Sequence, residues 1–299
     1  MTILVTGTNG LLGQKIIYQL RNRSDVKLIA TSKGDNRTFA KDGYIYEDMD
    51  ITNAMQVQSI FEKYQPDALI NTAAMTNVDA CENDKVLCQK MNVDAVGIMI
   101  EQCKKHNTHF IQLSTDFVFD GTAGPYSEED EPHPLSYYAM SKYESELMLQ
   151  QSGLNWAIIR TIIIYGVVDD NQRSNVVLWT INSCRAMKDI NVITDQYRMP
   201  TLAEDLASAC INCAINRKQG IYHVSGNEFM SIWDSVQRVA DYFNLDKSFI
   251  HPVTTASLNQ PAKRPLVTGF KIDKAMRELN YKPHTFEEGL KIVEQQLSK

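Results

Sequence analysis

Short, continuous apolar runs alternate with longer amphipathic segments through the first half of this chain, and few folds accept that rhythm. Runs at 2–6, 26–31, 68–71, 109–114 and 156–161 read as strands, and 12–21, 54–64, 86–106 and 138–151 have helical spacing. Strands separated by helices close right-handed βαβ crossovers and build a parallel sheet. The runs are continuously apolar, as expected when helices cover both sheet faces. The expected class is therefore α/β, a doubly wound parallel sheet. After about residue 166 the rhythm loosens. A polar loop is expected at 166–175, helices at 175–187, 201–216, 231–243 and 272–279, and a strand at 220–224, with Thr201 as an N-cap ahead of Glu204.

Between the first strand and the first helix lies Gly7-Thr8-Asn9-Gly10-Leu11-Leu12-Gly13. A glycine turn there aims backbone N–H groups and the positive end of a helix dipole at a pyrophosphate. Gly7 suits the tight turn, Gly10 a close backbone approach to phosphate, and Gly13 close helix–strand packing. The spacing is GxxGxxG, within a Rossmann-like frame. Gly7, Asn9, Gly10, Leu11 and Leu12 are thus candidate dinucleotide contacts. The second strand ends Thr31-Ser32-Lys33 with no acid at its tip, so Thr31, Lys33 and nearby Arg37 are candidates for a ribose 2′-phosphate. NADPH is the expected cofactor, and Asp35 leaves room for NADH. Asp50-Ile51 is a candidate adenine contact. Ala73, Ala74 and Thr76 follow another strand end, where small residues let backbone lie against a ribose. Residues 1–166 are expected to form the dinucleotide-binding domain, with 191–220 returning to it. Residues 167–190 and 221–299 are expected to form a smaller C-terminal substrate-binding lobe.

The chemistry is expected at the carboxyl edge of the sheet. Ser114-Thr115-Asp116 ends one strand, and Tyr138 and Lys142 stand one helical turn apart just beyond it. A free phenol has a pKa of about 10, and a neighbouring ammonium favours its ionised form. Tyr138 is the candidate proton donor, Lys142 its electrostatic partner and a ribose contact, and Thr115 the group orienting a substrate oxygen.

Composition removes several other classes. The net charge is −6, with no basic block, which argues against nucleic acid as a partner. No run of about 18 apolar residues suggests a membrane span. The first residues enter directly into Ile3-Leu4-Val5, read as core strand and not a leader, and a cytoplasmic location is expected. Cys210 and Cys213 make a CxxC in an apolar helical setting with no second pair, and read as packed thiols.

These strings together resemble the extended short-chain dehydrogenase/reductases, and among them the dTDP-4-dehydrorhamnose reductase group. The resemblance rests on 3–10, Asn71 to Asp79, Ser114 to Gly121, Tyr138 to Lys142, Arg160-Thr161, Pro200-Thr201 with Asp205, and Arg264-Pro265, in family order. It implies NAD(P)H-dependent reduction of the C4 ketone of a dTDP-6-deoxyhexulose, with Tyr138 as acid. It also places Asn77 and Val78 at the start of a substrate loop. Two positions depart from the pattern: Phe117 stands where the family usually has Tyr, and Ile163 where it often has Trp. Some relatives place a glutamate of the first helix in a dimer magnesium site; Lys15 occupies that position, so no metal is expected. A nucleotide sugar is the expected partner, with the chain a monomer or homodimer. Two alternatives share the fold: a nucleotide-sugar epimerase or dehydratase, and a non-catalytic regulatory subunit like that of methionine adenosyltransferase.

Overall fold

The computed structural model describes residues 1–169 and 174–298. The polar loop expected at 166–175 therefore lies partly outside the described residues. Seven parallel strands form the central sheet among those residues: β1 (Thr2–Thr6), β2 (Lys27–Ser32), β3 (Ile45–Asp48), β4 (Ala68–Asn71), β5 (His109–Thr115), β6 (Trp156–Thr161) and, later in the chain, β11 (Gly220–Val224). Between β6 and β11 come the short strands β7 (Ile164–Tyr165), β8 (Ile190–Ile193), β9 (Tyr197–Arg198) and β10 (Thr201–Leu202). β12 (Met230–Ser231) and β13 (Ile250–Val253) follow. The helices in chain order are α1 (Leu11–Leu20), α2 (Ala54–Tyr64), α3 (Val78–Asn83), α4 (Lys85–Gln89), α5 (Ala95–His106), α6 (Tyr137–Gln150), α7 (Val176–Arg185), α8 (Ala203–Ile215), α9 (Ile232–Tyr242), α10 (Asp273–Glu278) and α11 (Phe286–Leu297).

The sheet order is β11-β6-β5-β4-β1-β2-β3, so chain direction across the sheet reverses between β1 and β4. That reversal opens a crevice at the carboxyl ends of the strands, where ligands of such sheets bind. One face packs α1 and α8 over a core that includes Ile3, Val5, Ile16, Ile159 and Leu206. The other packs α2 and α5 over Leu4, Val57, Phe61, Leu69 and Met99.

Three sequence expectations change. Residues 221–224, expected in the smaller lobe, instead complete β11, whose register pairs Ile221 with Ile158 and Val224 with Thr161. Tyr222, His223 and Val224 of this edge strand are buried, and the strand packs against α10. Residues 191–193, expected to return to the larger domain, instead pair with β13 in a separate two-stranded sheet. Thr201 is not an N-cap. It lies in β10, paired with Ile164, and its hydroxyl donates to Ile162 O at 2.6 Å, so α8 begins after Leu202 without a side-chain cap.

The single helix expected over 86–106 is broken at Lys90–Asp94 by a π turn. Among the described residues no helix is long and apolar enough to cross a membrane. Cys210 and Cys213 are buried free thiols.

Candidate active site

The turn after β1 follows from its glycines. Gly7 has φ +69°, which L-residues rarely adopt. A Cβ there would lie 2.7 Å from Ala73 N, so the loops after β1 and β4 touch backbone to backbone across the reversal point. A Cβ on Gly13 would lie 2.6 Å from Thr8 Cα, which is how closely α1 approaches the turn. Helix α1 starts at Gly10 with no side-chain cap and no acid in its first turn. Its first N–H groups and dipole therefore remain available to an anion.

A cleft of about 390 Å³ opens over this turn. Of the sequence candidates it brings together Gly10, Leu11, Leu12, Ala74, Thr76, Val78, Thr115, Phe117, Tyr138, Lys142 and Ile163. It adds Ser114, Thr161, Gly166, Val168, Ser174 and Asn175, which the sequence reading did not propose as site residues. Lys142 is the one basic side chain lining the cleft among the described residues.

Other candidates lie elsewhere. Thr31 is fully buried and donates to Val5 O at 3.1 Å, because side chains alternate along β2 and this one faces inward. It is withdrawn as a 2′-phosphate contact. The Asn9 amide holds the following loop, donating to Asp35 O at 2.8 Å and accepting from Arg37 N at 2.9 Å, so its side chain acts inside the protein. Ile51 is buried in the apolar core beneath α2 and is corrected to a packing residue. Asp50 accepts from Thr52 N and Oγ1 and pairs with Lys33 Nζ at 2.8 Å; these bonds hold its carboxyl down at about 2 despite partial burial. Lys33 is 79% exposed and its ammonium is further favoured by that pair. Arg37 is exposed on the same loop. Ala73 N points at Thr6 Oγ1 at 3.4 Å, and Asn77 Oδ1 caps α3 at Ala80 N. Lys15 pairs with Glu204 at 3.0 Å and donates to Gln296 at 2.9 Å.

Burial is the largest influence on the two groups expected to do chemistry. It pushes the Tyr138 phenol well above its ordinary value, against the opposing effect of the Thr115 hydroxyl. Desolvation of a phenolate is thus the main influence on Tyr138, and it favours the protonated phenol. Burial also lowers Lys142 to about 8, with Glu146 acting in the opposite direction. Ser114 Oγ is buried and has no hydrogen-bond partner among the described residues. An orphaned hydroxyl at the cleft wall fits a bound polar group, as the open start of α1 fits a pyrophosphate.

Support comes from residues the sequence reading passed over. Asn92, in the π turn, accepts from Met75 N at 2.8 Å and donates to Met75 O at 3.1 Å and Ser141 Oγ at 3.0 Å. It joins the loop carrying Ala74 and Thr76 to the helix carrying Tyr138 and Lys142. The buried Asp116 receives a bond from Thr268 and lies 3.5 Å from Arg198 Nε. That guanidinium sits 5.5 Å above the Phe117 ring, which meets Tyr138 edge-on at 6.1 Å. Phe117 is therefore fixed between a cation and the phenol, and Val78 packs on the same cluster of Cys81, Cys88 and Tyr138.

Ile163 lines the same cleft with φ +29°, an unfavourable conformation for a β-branched residue. Thr201 holds it there, its N–H donating to Ile163 O at 3.0 Å. No signal in the local sequence announces this strain or the Arg198–Asp116 contact, since both depend on partners far along the chain.

The family described as RmlD substrate binding domain matches residues 1–298. A dTDP-4-dehydrorhamnose reductase from Clostridium acetobutylicum has a similar solved structure, with TM-score 0.87 and 29% identity over 100% of both chains. A dTDP-4-dehydrorhamnose reductase from Bacillus anthracis, solved in complex with NADP, has TM-score 0.84 and 26% identity over 99% of both chains. The chain is also 31% identical to methionine adenosyltransferase 2 subunit beta of Bos taurus, over 88% of this chain and 78% of that one.

Proposed function

The chain belongs to the RmlD substrate binding domain family, and from that premise we propose that it is an NAD(P)H-dependent reductase of the C4 ketone of a dTDP-6-deoxyhexulose. The observation that carries this reading is the convergence of Ser114, Thr115, Tyr138 and Lys142 on one cleft above an open helix start. The sheet and its helices hold the dinucleotide, and the smaller lobe takes the sugar nucleotide.

When bound, the reduced nicotinamide supplies hydride. The first N–H groups of α1, from Leu11 onward, would hold the pyrophosphate, and the backbone at Ala73 and Ala74 would hold the ribose. The exposed Lys33, now paired with Asp50, would be available to a 2′-phosphate, which would favour NADPH. Thr115 orients the ketone oxygen toward Tyr138. The buried phenol delivers its proton to that oxygen as alkoxide charge develops, and a full phenol is the form a reduction needs. The Lys142 ammonium stabilises the phenolate left behind and bonds the nicotinamide ribose. Phe117, Val78 and Ile163 exclude water from the reacting carbon.

The test is oxidation of NADPH in the presence of enzymatically prepared dTDP-4-dehydro-6-deoxyhexose. Tyr138→Phe is expected to lower kcat by about 10²–10⁴-fold with little change in cofactor affinity. Full turnover by that variant overturns the assignment.

A second reading is a dinucleotide-binding subunit of another enzyme, and the 31% identity to methionine adenosyltransferase 2 subunit beta favours it. It predicts NADPH binding without sugar-dependent oxidation.

A further inference from the structure

Helix α6, which carries Tyr138 and Lys142, is held against the sheet by a buried ion pair. Glu146 stands one turn beyond Lys142, on the same face. Arg160 on β6 grips it in a two-pronged contact, Nε to Oε1 at 3.0 Å and Nη2 to Oε2 at 2.6 Å. The two side chains are 2% and 0% exposed. Arg160 is the strand partner of Ser114, so the pair braces α6 against the strand beside the Ser114-Thr115 edge. The guanidinium also lies 5.2 Å over the Phe119 ring and 3.4 Å from His223 Nε2. Burial and Arg160 together keep that imidazole neutral.

Bracing alone does not call for charge. A well-packed apolar pair holds two elements as firmly and avoids the cost of desolvating two ions. The electrostatic surroundings of Lys142 suggest what the charge does. Acting on Lys142 are Glu146 from α6, Cys81 from α3 and Cys88 from α4; Asp116, in the turn after β5, acts on Tyr138, and Arg160 and His223 lie beyond Glu146. Among these, Glu146 is the largest influence favouring the ammonium against burial.

We propose that Glu146, held in place by the two-pronged contact of Arg160, is a positioning residue for the reaction, its carboxylate fixing the Lys142 ammonium one helical turn away in the cleft. The proposal rests on the reading that Tyr138 and Lys142 serve a bound nicotinamide dinucleotide. Arg160 holds the carboxylate and Glu146 supplies the field. Removing the carboxylate therefore weakens the ammonium even where the fold survives.

The experiment measures NADPH affinity by nucleotide fluorescence, and sugar-dependent turnover, against pH in the full chain. In the native protein both fall as pH rises through about 8, where Lys142 loses its proton. In Glu146→Gln the fall moves to lower pH by about one unit. Because that variant leaves Arg160 buried and unpaired, the double variant Glu146→Gln/Arg160→Gln serves as the folded control. It leaves no unpaired guanidinium and shifts in the same direction. Glu146→Asp keeps the charge and stays near the native pH, despite looser packing.

A double variant that melts normally yet keeps the native pH dependence overturns the inference, as does Glu146→Asp shifting as far as Glu146→Gln. Fluorescence needs no sugar, so a native protein that binds NADPH with these shifts but never turns over sugar retains the inference about Lys142 and loses the reductase reading.

Discussion

Replacing Asn92 by Ala tests whether the π turn is a joint between the loop after β4 and helix α6. The native amide is buried and makes three bonds of 2.8–3.1 Å, two to the backbone of Met75 and one to Ser141. Alanine leaves the N–H of Met75 without its partner, while the Met75 C=O keeps a weak bond from the Cys81 thiol at 3.5 Å. A buried unsatisfied group costs about 1–3 kcal/mol, and the variant is expected to lose about that much stability. Ser141→Ala, which removes one of the three bonds and strands no backbone group, is expected to lose about 1 kcal/mol. The assay is urea denaturation at fixed pH, with NADPH affinity measured on the same preparations. Weakened affinity must accompany the lost stability in Asn92→Ala, because Met75 continues directly from Ala73 and Ala74. A loss under about 0.5 kcal/mol with unchanged affinity refutes the joint.

Gly13→Ala places a methyl 2.6 Å from Thr8 Cα and 2.7 Å from Gly7 O, both backbone atoms that cannot step aside. About 1–3 kcal/mol of stability and a large part of dinucleotide affinity should go, read by melting and fluorescence titration. Lys33→Glu should weaken NADPH by about tenfold or more relative to NADH and leave stability almost unchanged, since the side chain is exposed. Competitive titration with the two cofactors reads that ratio, and an unaltered ratio removes Lys33 from the 2′-phosphate. Turnover should decline as pH rises through about 8, because the lowered pKa of Lys142 means the ammonium is present below that value and lost above it. A profile flat to pH 9.5 contradicts the role given to Lys142.

Much of the fold was legible because its signals are local. The continuous apolar strands, the glycine turn and the one-turn spacing of Tyr138 and Lys142 each declare themselves within a few residues. The elements that escaped notice depend on distant partners. Thr201 resembles a cap until Ile164 pairs with it. Thr31 resembles a phosphate contact, and only the pleat of β2 against β1 turns it inward. The π turn at Lys90–Asp94 lies inside a run with unbroken helical spacing, and Asn92 gives no sign of its bonds to Met75. The Glu146–Arg160 pair is visible only once the fold places α6 against β6. The lobe boundary moved for a related reason: β11 is short, and its place beside β6 is set by α10 packing from 50 residues further on.

The central claim is that a hydride goes to a sugar carbon while Tyr138 supplies the proton. The most direct measurement uses NADPH carrying deuterium at the reactive nicotinamide carbon, incubated with the native protein, Tyr138→Phe and dTDP-4-dehydro-6-deoxyhexose, followed by mass spectrometry of the sugar nucleotide. The account predicts one deuterium at C4 of the product from the native protein and a trace from the variant. Unlabelled sugar from the native protein, with NADPH bound but not consumed, would contradict it.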